Sequence, residues 1–283
     1  MSLLRPERVR LAFSPVAITA RAQALLNRAN GRSTRALPGA DKQCFYQRHL
    51  AMGASPGEVK TFKRLRSSKG RYIYIDSHGA LITLVQNGAV ELHTWGARVP
   101  DAQHPDRITI DLDPDEDLAW PQLVKATQLT RALIDGLGLR SFLKTTGGKG
   151  LHVVVPIQPR LAWYEVKEFS RQMAEFLVRA EPKLFTAKMA KAGRGGKVFV
   201  DYLRNSETAS AVAAFSARAR PGAGVSTPLA WDELGAKEDP RGKFTVLTVP
   251  GRLKSLGEDP WAGYAGARQS ISAAMQRSLG KKG

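Results

Sequence analysis

Ile108-Thr109-Ile110-Asp111-Leu112-Asp113-Pro114 reads as a strand with two acids on one side. Side chains alternate across a strand, so Asp111 and Asp113 share one face of a sheet while Leu112 turns the other way, into a core. The strand ends at Pro114, which has no N–H to donate to a ladder, and the acidic edge Asp115-Glu116-Asp117 begins there. Two neighbouring carboxylates repel unless positive charge stands between them. A hard divalent ion, Mg²⁺ or Mn²⁺, is the usual answer because it takes oxygen ligands.

Around this acidic cluster the chain is strongly basic. Of 283 residues, 43 are Lys or Arg and 25 are Asp or Glu, a formal charge of +18. That balance implies a polyanionic partner, most simply nucleic acid, in preference to a merely soluble basic protein. The length allows one large domain or two small ones. A single cysteine, Cys44, excludes an internal disulfide framework and a cysteine-based zinc site, and it fits a reducing cytosol. No apolar run approaches the length of a membrane span, and the N-terminus is basic without an apolar signal core. The expected location is therefore the cytoplasm, with no membrane partner.

Residues 1–40 are poor in acids and rich in Arg, with Ala20 to Ala29 read as a short helix and 31–42 as a loop. Tyr72 to Ile75 reads as a strand, Asp76 to Gly79 as a turn, and Ala80 to Asn87 as a helix stopped by Gly88. Strands follow at Val90 to Trp95 and Ile108 to Leu112. Trp120 to Leu137 keeps helical spacing through Leu123, Ala126, Thr127, Thr130, Leu133 and Ile134. Leu139 to Lys144 and Leu151 to Pro156 read as strands on either side of a glycine loop. Trp163 to Ala180 is a second long helix, 188–197 a basic loop, and Val198 to Tyr202 a strand. A last helix is expected near Ala267 to Leu279. Alternating strands and helices indicate an α/β or α+β fold. Apparent returns at Gly79 and Gly147 argue for mixed or antiparallel sheets.

Asp201 sits among apolar and aromatic neighbours in Val198-Phe199-Val200-Asp201-Tyr202-Leu203-Arg204. A salt bridge to Arg204 would satisfy it. Beside a strand-borne acid pair, however, a third metal carboxylate is the better reading, and three carboxylates can hold two divalent ions against a nucleoside triphosphate. In Thr146-Gly147-Gly148-Lys149-Gly150, glycines let backbone N–H groups approach an anion and Lys149 adds charge. The spacing is not that of a P-loop, and a plain hairpin is the alternative. His152 follows on an apolar strand, either as a satisfied core histidine or as a phosphate contact. Arg218 and Arg220 stand one residue apart; on a strand they would face one way, towards phosphates or simply towards solvent. Phe45-Tyr46 is an aromatic pair flanked by Arg48 and His49, suited to the core or to base stacking. His93 and Trp95 share a face, where core packing is the plain alternative.

Taken in order, Cys44-Phe45-Tyr46-Gln47-Arg48-His49, Glu91-Leu92-His93-Thr94-Trp95-Gly96, the Asp111/Asp113 strand, Leu143 to His152, Val198 to Asn205 and Ser216 to Arg220 resemble the polymerase domain of bacterial ligase D, within the archaeo-eukaryotic primase superfamily. The resemblance runs from about residue 43 to the C-terminus. It implies a primase-type core with mixed or antiparallel central sheets flanked by helices, in a single polymerase domain over 1–283 with an atypical basic segment at 1–40. By resemblance, Asp111, Asp113 and Asp201 are the catalytic and metal residues, holding two ions, Mn²⁺ or Mg²⁺. Thr146, Gly147, Lys149 and His152 would hold the triphosphate, Arg218 and Arg220 would contact it, and His93 would sit by the nucleotide sugar. Phe45 and Tyr46, with Arg204, would face template DNA. The substrates implied are ribo- or deoxynucleoside triphosphates, and the DNA partners are ends with 3′ overhangs or gaps. Ku and a ligase domain are the implied protein partners in non-homologous end joining, with the chain itself expected as a monomer. Residues 31–39 keep the family's Pro/Gly turn but hardly its strand, so no 5′-phosphate contacts are assigned. The chain lacks a ligase nucleotidyl-lysine segment and a phosphoesterase, and is expected to be a stand-alone polymerase or one domain of a larger protein. Two rival readings are a nucleotide-sugar transferase using Asp111 and Asp113, which the charge and Asp201 disfavour, and a catalytically silent DNA-end-binding module.

Overall fold

The structure is a computed structural model. It describes residues 14–21 and 44–47 as backbone, and 59–63, 71–86, 88–99, 101–190, 194–207, 209–235 and 239–280 with their side chains. Two six-stranded sheets carry the fold. The first is built from β1 (Ser14–Arg21), β2 (Cys44–Gln47), β3 (Lys60–Phe62), β4 (Tyr72–Ile75), β5 (Ala89–Thr94) and β11 (Ala211–Val212). Its order is β11-β5-β1-β4-β3, with β2 also paired to β1. The second is built from β6 (Arg107–Pro114), β7 (Phe142–Thr145), β8 (Leu151–Pro156), β9 (Phe185–Thr186), β10 (Val198–Asp201) and β12 (Pro228–Leu229), in the order β12-β7-β8-β6-β10-β9. The β9–β10 pair is parallel and the other ladders of the second sheet are antiparallel, so the expected mixed α/β architecture is found.

The alternation in 108–114 works as read. Ile108, Ile110 and Leu112 are fully buried and join one apolar core with the helices α2 (Trp120–Gly136) and α3 (Trp163–Ala180). Helix α3 buries Trp163, Val166, Phe169, Met173 and Leu177, a stripe at helical spacing. Each of these side chains contributes about 1.5–3 kcal/mol when fully buried. That outweighs a start with no side-chain cap, where only Glu165 reaches back to the Ala162 N–H at 2.8 Å. Helices therefore cover one face of the second sheet. The polar face, carrying Arg107, Thr109, Asp111 and Asp113, is left towards the first sheet.

Several expectations are corrected. The predicted helix from Ala20 begins inside β1, where Ala20 and Arg21 pair with Phe45 and Cys44; the rest of that span lies outside the described residues. The return at Gly79 is not a hairpin. Helix α1 (His78–Gln86) carries the chain from β4 to β5, and β1 lies between those strands, antiparallel to both. Nothing local in 72–94 could reveal that, because β1 comes from about sixty residues earlier. Gly88, at φ +85°, stops α1 as expected. Strand β7 starts at Phe142 rather than Leu139. Two short C-terminal helices are α4 (Val249–Ser255) and α5 (Ala273–Gly280). The last helix starts at Ala273 because Ser272 Oγ accepts the Met275 N–H at 3.3 Å, and the preceding stretch is committed to packing. There Trp261 and Tyr264 stack at 4.9 Å and close on Phe142.

Candidate active site

Sheet register assembles the site. Asp111 on β6 pairs across the ladder with His152 on β8 and, on its other side, with Asp201 on β10; His152 in turn pairs with Lys144 on β7. Direct cross-strand partners share a face. Lys144, His152, Asp111 and Asp201 therefore form one transverse row over four adjacent strands, and Asp113 lies two residues along from Asp111 on the same face. Lys144, His152 and Arg204 open onto a cavity of about 610 Å³ whose lining also includes Gly96 and Tyr264.

Arg204 is the centre of charge balance. Its Nε stands 3.0 Å from Asp111 Oδ2 and 3.1 Å from Asp201 Oδ2. The short 3₁₀ turn Leu203–Asn205 that carries it is locked to β6 by Asn205. Asn205 Oδ1 accepts the Thr109 N–H at 2.8 Å, and its Nδ2 donates to the Thr109 carbonyl at 2.9 Å. Leu203 N–H donates to Asp201 Oδ1 at 2.9 Å. The salt-bridge alternative for Asp201 is thus realised, but in a shared form with Asp111.

Burial alone would raise the Asp111 carboxyl, yet His152 and Arg204 hold it down at about 2. Burial and the nearby Lys144 ammonium push His152 down to about 4, so its imidazole is neutral at neutral pH. The counter-charge of Asp111 is then Arg204. His152 Nε2 stands 3.4 Å from Asp111 Oδ1, and its buried Nδ1 has no hydrogen-bond partner among the described residues. Burial lowers Lys144 to about 7; its Nζ donates to Ser226 Oγ at 2.6 Å. Asp201 is pushed upwards, by burial and by the charge on Asp111. Asp113 is met by Lys149 and Arg194, each at 3.6 Å, and the Arg194 guanidinium lies 3.8 Å from the Phe199 ring centroid.

This donor set fits a hard divalent ion chemically. A buried carboxylate, Asp111, and a half-buried one, Asp201, face each other across a ladder and compete for one guanidinium, so added positive charge there is stabilising. As the side chains stand, no group of three acids or histidines among the described residues is arranged to hold an ion. For Asp111 and Asp201 to hold an ion, Arg204 would have to give up its contacts with them.

The glycine loop Thr146-Gly147-Gly148-Lys149-Gly150 does link β7 to β8 as a hairpin. Thr146 Oγ1 is spent inside it, donating to the Gly150 carbonyl at 3.0 Å and accepting the Gly148 N–H at 3.2 Å. Gly147 has φ +69°. Arg218 and Arg220 are not on a strand: around them there are only isolated bridges, Ala217 to Val225 and Gly224 to Thr245, in a loop with Ala223 at φ +44°. Both still reach the glycine loop. Arg218 Nη1 donates to the Thr146 carbonyl at 2.8 Å, and Arg220 Nη1 lies 3.3 Å from where a Cβ on Gly148 would stand. His93 is on β5, facing Ala17 on β1 in register. Phe45 and Tyr46 are placed by backbone only, opposite Ala20 and Thr19; their side chains lie outside the described residues.

Sequence reading passed over Glu91, Lys144, Asn205 and Arg194. Glu91 had a visible signal, since it alternates with His93 on one strand. It is 6% exposed. Its Oε2 accepts from His93 Nε2 at 2.7 Å and stands 3.2 Å from Arg218 Nε, while its Oε1 accepts the Ala219 N–H at 2.7 Å. Burial would raise this carboxyl, but His93, the Ala219 N–H and Arg218 together bring it from 4.5 to about 2. The folded state therefore refuses a proton that the unfolded chain takes up near pH 4.5. The stability this contributes is fully present above pH 4.5 and is lost as pH falls towards 2, roughly 3 kcal/mol in all. Urea midpoints at pH 6 and pH 3 should differ more in the native chain than in Glu91→Gln, where only the remaining depressed carboxyls such as Asp111 contribute; an unchanged step would contradict the burial and bonding described.

Two acids in one row with Lys144 and His152, beside a glycine–lysine loop on one sheet of a two-sheet α/β fold, make an arrangement suited to phosphate and a divalent ion. Comparison with known proteins narrows this: the family described as LigD, primase-polymerase domain, matches residues 18–261, and the chain belongs to that family. It is 46% identical over 244 residues to the "Multifunctional non-homologous end joining protein LigD" of Pseudomonas aeruginosa, covering 86% of this chain and 29% of that protein. To the "Bifunctional non-homologous end joining protein LigD" of Bacillus subtilis it is 28% identical over 245 residues, covering 86% and 39%. The chain thus spans less than two-fifths of the length of either relative. Among solved structures it is similar to the "Polymerase Domain from Mycobacterium tuberculosis Ligase D in complex with DNA", with TM-score 0.75, 28% identity, and 91% and 86% of the two chains covered. Among the described residues no helix is long and apolar enough to cross a membrane.

Proposed function

We propose that this chain is a divalent-metal-dependent polymerase that adds ribo- or deoxynucleotides to primer 3′ ends and fills gaps during non-homologous end joining. The observation that carries the reading is the transverse row Lys144–His152–Asp111–Asp201, whose two acids are cross-strand partners beside the Thr146–Gly150 loop. The relatives named for end joining and the DNA-bound neighbour support the biological setting, and the charge of +18 supports a DNA partner. Ku and a ligase domain are the partners we propose from that setting.

Asp111, Asp113 and Asp201 would hold two Mn²⁺ or Mg²⁺ ions, which supply Lewis acidity to the attacking hydroxyl and charge neutralisation to the leaving pyrophosphate. The chain's own residues do the rest. Arg204 offsets the charge of Asp111 and Asp201 and holds the two carboxylates side by side. Lys149, Arg218 and Arg220 orient the triphosphate and offset its charge. Neutral His152 offers a hydrogen-bonding ring beside Asp111 without adding repulsion towards a metal. His93 borders the sugar, and Phe45 and Tyr46 contribute stacking surface for a base.

Extension of a 5′-labelled primer on gapped and overhanging DNA, with each ribo- and deoxynucleotide in Mn²⁺ or Mg²⁺, tests this. Metal-dependent addition is expected, and chelation should stop it. Tight DNA binding with no addition under any condition would favour the silent end-binding module, for which the ion-paired state of the three acids is the relevant observation.

A further inference from the structure

Among the described residues only two acids are buried, Asp111 and Glu91. Asp111 belongs to the proposed catalytic row; Glu91 belongs to the opposite sheet. Through Arg218 the Glu91 carboxylate is connected to the Thr146 carbonyl, so Glu91, Arg218 and the glycine loop form one polar path between the two sheets. A second path runs from the same carboxylate to His93.

Holding the loop in place does not need this carboxylate. Leu92 N–H already donates to Ser216 Oγ at 2.8 Å, and Ala213 N–H to the Leu92 carbonyl at 2.8 Å, tying the segment before Arg218 to β5. What the carboxylate does is fix three donors relative to one another: the His93 ring, the Arg218 guanidinium and the Ala219 N–H. Among the described residues the Arg218 Nε hydrogen has no full hydrogen bond. Its orientation is therefore set by the Glu91 charge and by the single bond to Thr146.

We propose that Glu91 is a positioning residue that couples the sugar side of the nucleotide site, at His93, to the triphosphate side, at Arg218, so that the two contacts form as a unit. The proposal rests on the nucleotide-transfer reading above. It places Glu91 outside contact with the reacting atoms; it acts through the two side-chain donors it orients.

The test uses the full chain with Mn²⁺ and a ribonucleoside triphosphate analogue that cannot be cleaved at its α–β linkage, beside steady-state primer extension. Glu91→Gln should weaken analogue binding, and raise KM, by about tenfold or more, as expected when a charge-assisted contact to a positioning group is lost, with a smaller change in kcat. Combining Glu91→Gln with His93→Ala, or with Arg218→Ala, should cost less than the product of the single effects. Affinity and KM within about twofold of the native chain, or strictly multiplicative losses, would overturn the proposal. Circular dichroism and melting check folding. If Glu91→Gln fails to fold, Glu91→Asp, which keeps the charge and shortens the reach, is read against the same outcomes. The native chain separates the two ideas: analogue binding without extension defeats the polymerase reading yet leaves the Glu91 coupling to be judged on binding.

Discussion

Asp111→Asn is expected to abolish nucleotide addition, by on the order of a thousandfold or more in single-turnover extension, while DNA binding is retained or slightly tightened. Asp111 is the member of the row with contacts on both sides, His152 at 3.4 Å and Arg204 at 3.0 Å. Removing its charge leaves Arg204 with Asp201 alone and takes away one hard oxygen ligand. Stability should move little, because two effects oppose. The lost charge-assisted hydrogen bond costs roughly 1.5–3 kcal/mol, and relief of the Asp111–Asp201 repulsion returns part of it. Asp201→Ala should likewise stop extension with little loss of DNA affinity. Near-native extension by either variant would remove the carboxylate row from the mechanism. Loss of extension with a matching loss of DNA binding would instead make the row part of the DNA grip.

Gly224→Ala should damage both the fold and nucleotide use. A Cβ at Gly224 would stand 2.4 Å from the Gly147 carbonyl oxygen, a backbone atom that cannot swing aside. Gly147 cannot retreat easily either: a Cβ there would itself meet Arg218 Cγ at 2.7 Å, and its φ is +69°. The extra methyl must therefore push the Thr146–Gly150 loop away from the Arg218 segment, whose N–H donates to the Gly224 carbonyl at 2.8 Å. Overpacking of this kind costs about 1–3 kcal/mol in stability. The displaced loop should also raise KM for the nucleotide by roughly tenfold, since misplacing positioning groups is felt in orientation. Gly251→Ala is the control. That glycine lies in α4, and a Cβ there meets nothing within 4 Å, so the change should be neutral or stabilise by up to about 1 kcal/mol. Equal denaturation midpoints and equal KM values for the two variants would show that the back-to-back glycine contact does not hold the loop.

Much of the second sheet was readable because its signals are local. Strict alternation in 108–114, the stop at Pro114 and the glycine loop between Thr145 and Leu151 each rest on neighbouring residues. The helix Trp163–Ala180 was legible to the residue, since its apolar stripe repeats at 3.6. The first sheet was not, because β1 inserts between β4 and β5 from far upstream and turns an apparent hairpin into a crossover. Arg218 and Arg220 were misplaced on a strand for a related reason. Their spacing suited a strand, but positive φ at Ala223 and only isolated bridges, at Ala217 and Gly224, make a loop, and packing against Gly147 holds it.

The amino-acid sequence alone determined which groups the site contains. Two acids one residue apart, a third acid on an apolar strand, a glycine–lysine loop and two arginines are properties of adjacent residues and survive any arrangement of the chain. Only the tertiary structure decided how those groups meet. Strand order and register put Lys144, His152, Asp111 and Asp201 in one row, turned Arg204 back between two carboxylates, and brought Glu91, with His93 beside it on β5, from the other sheet to Arg218. Register is a long-range property: a slip of one residue would send each of these side chains to the opposite face, and it is the burial of Ile108, Ile110 and Leu112 against the helices that forbids the slip.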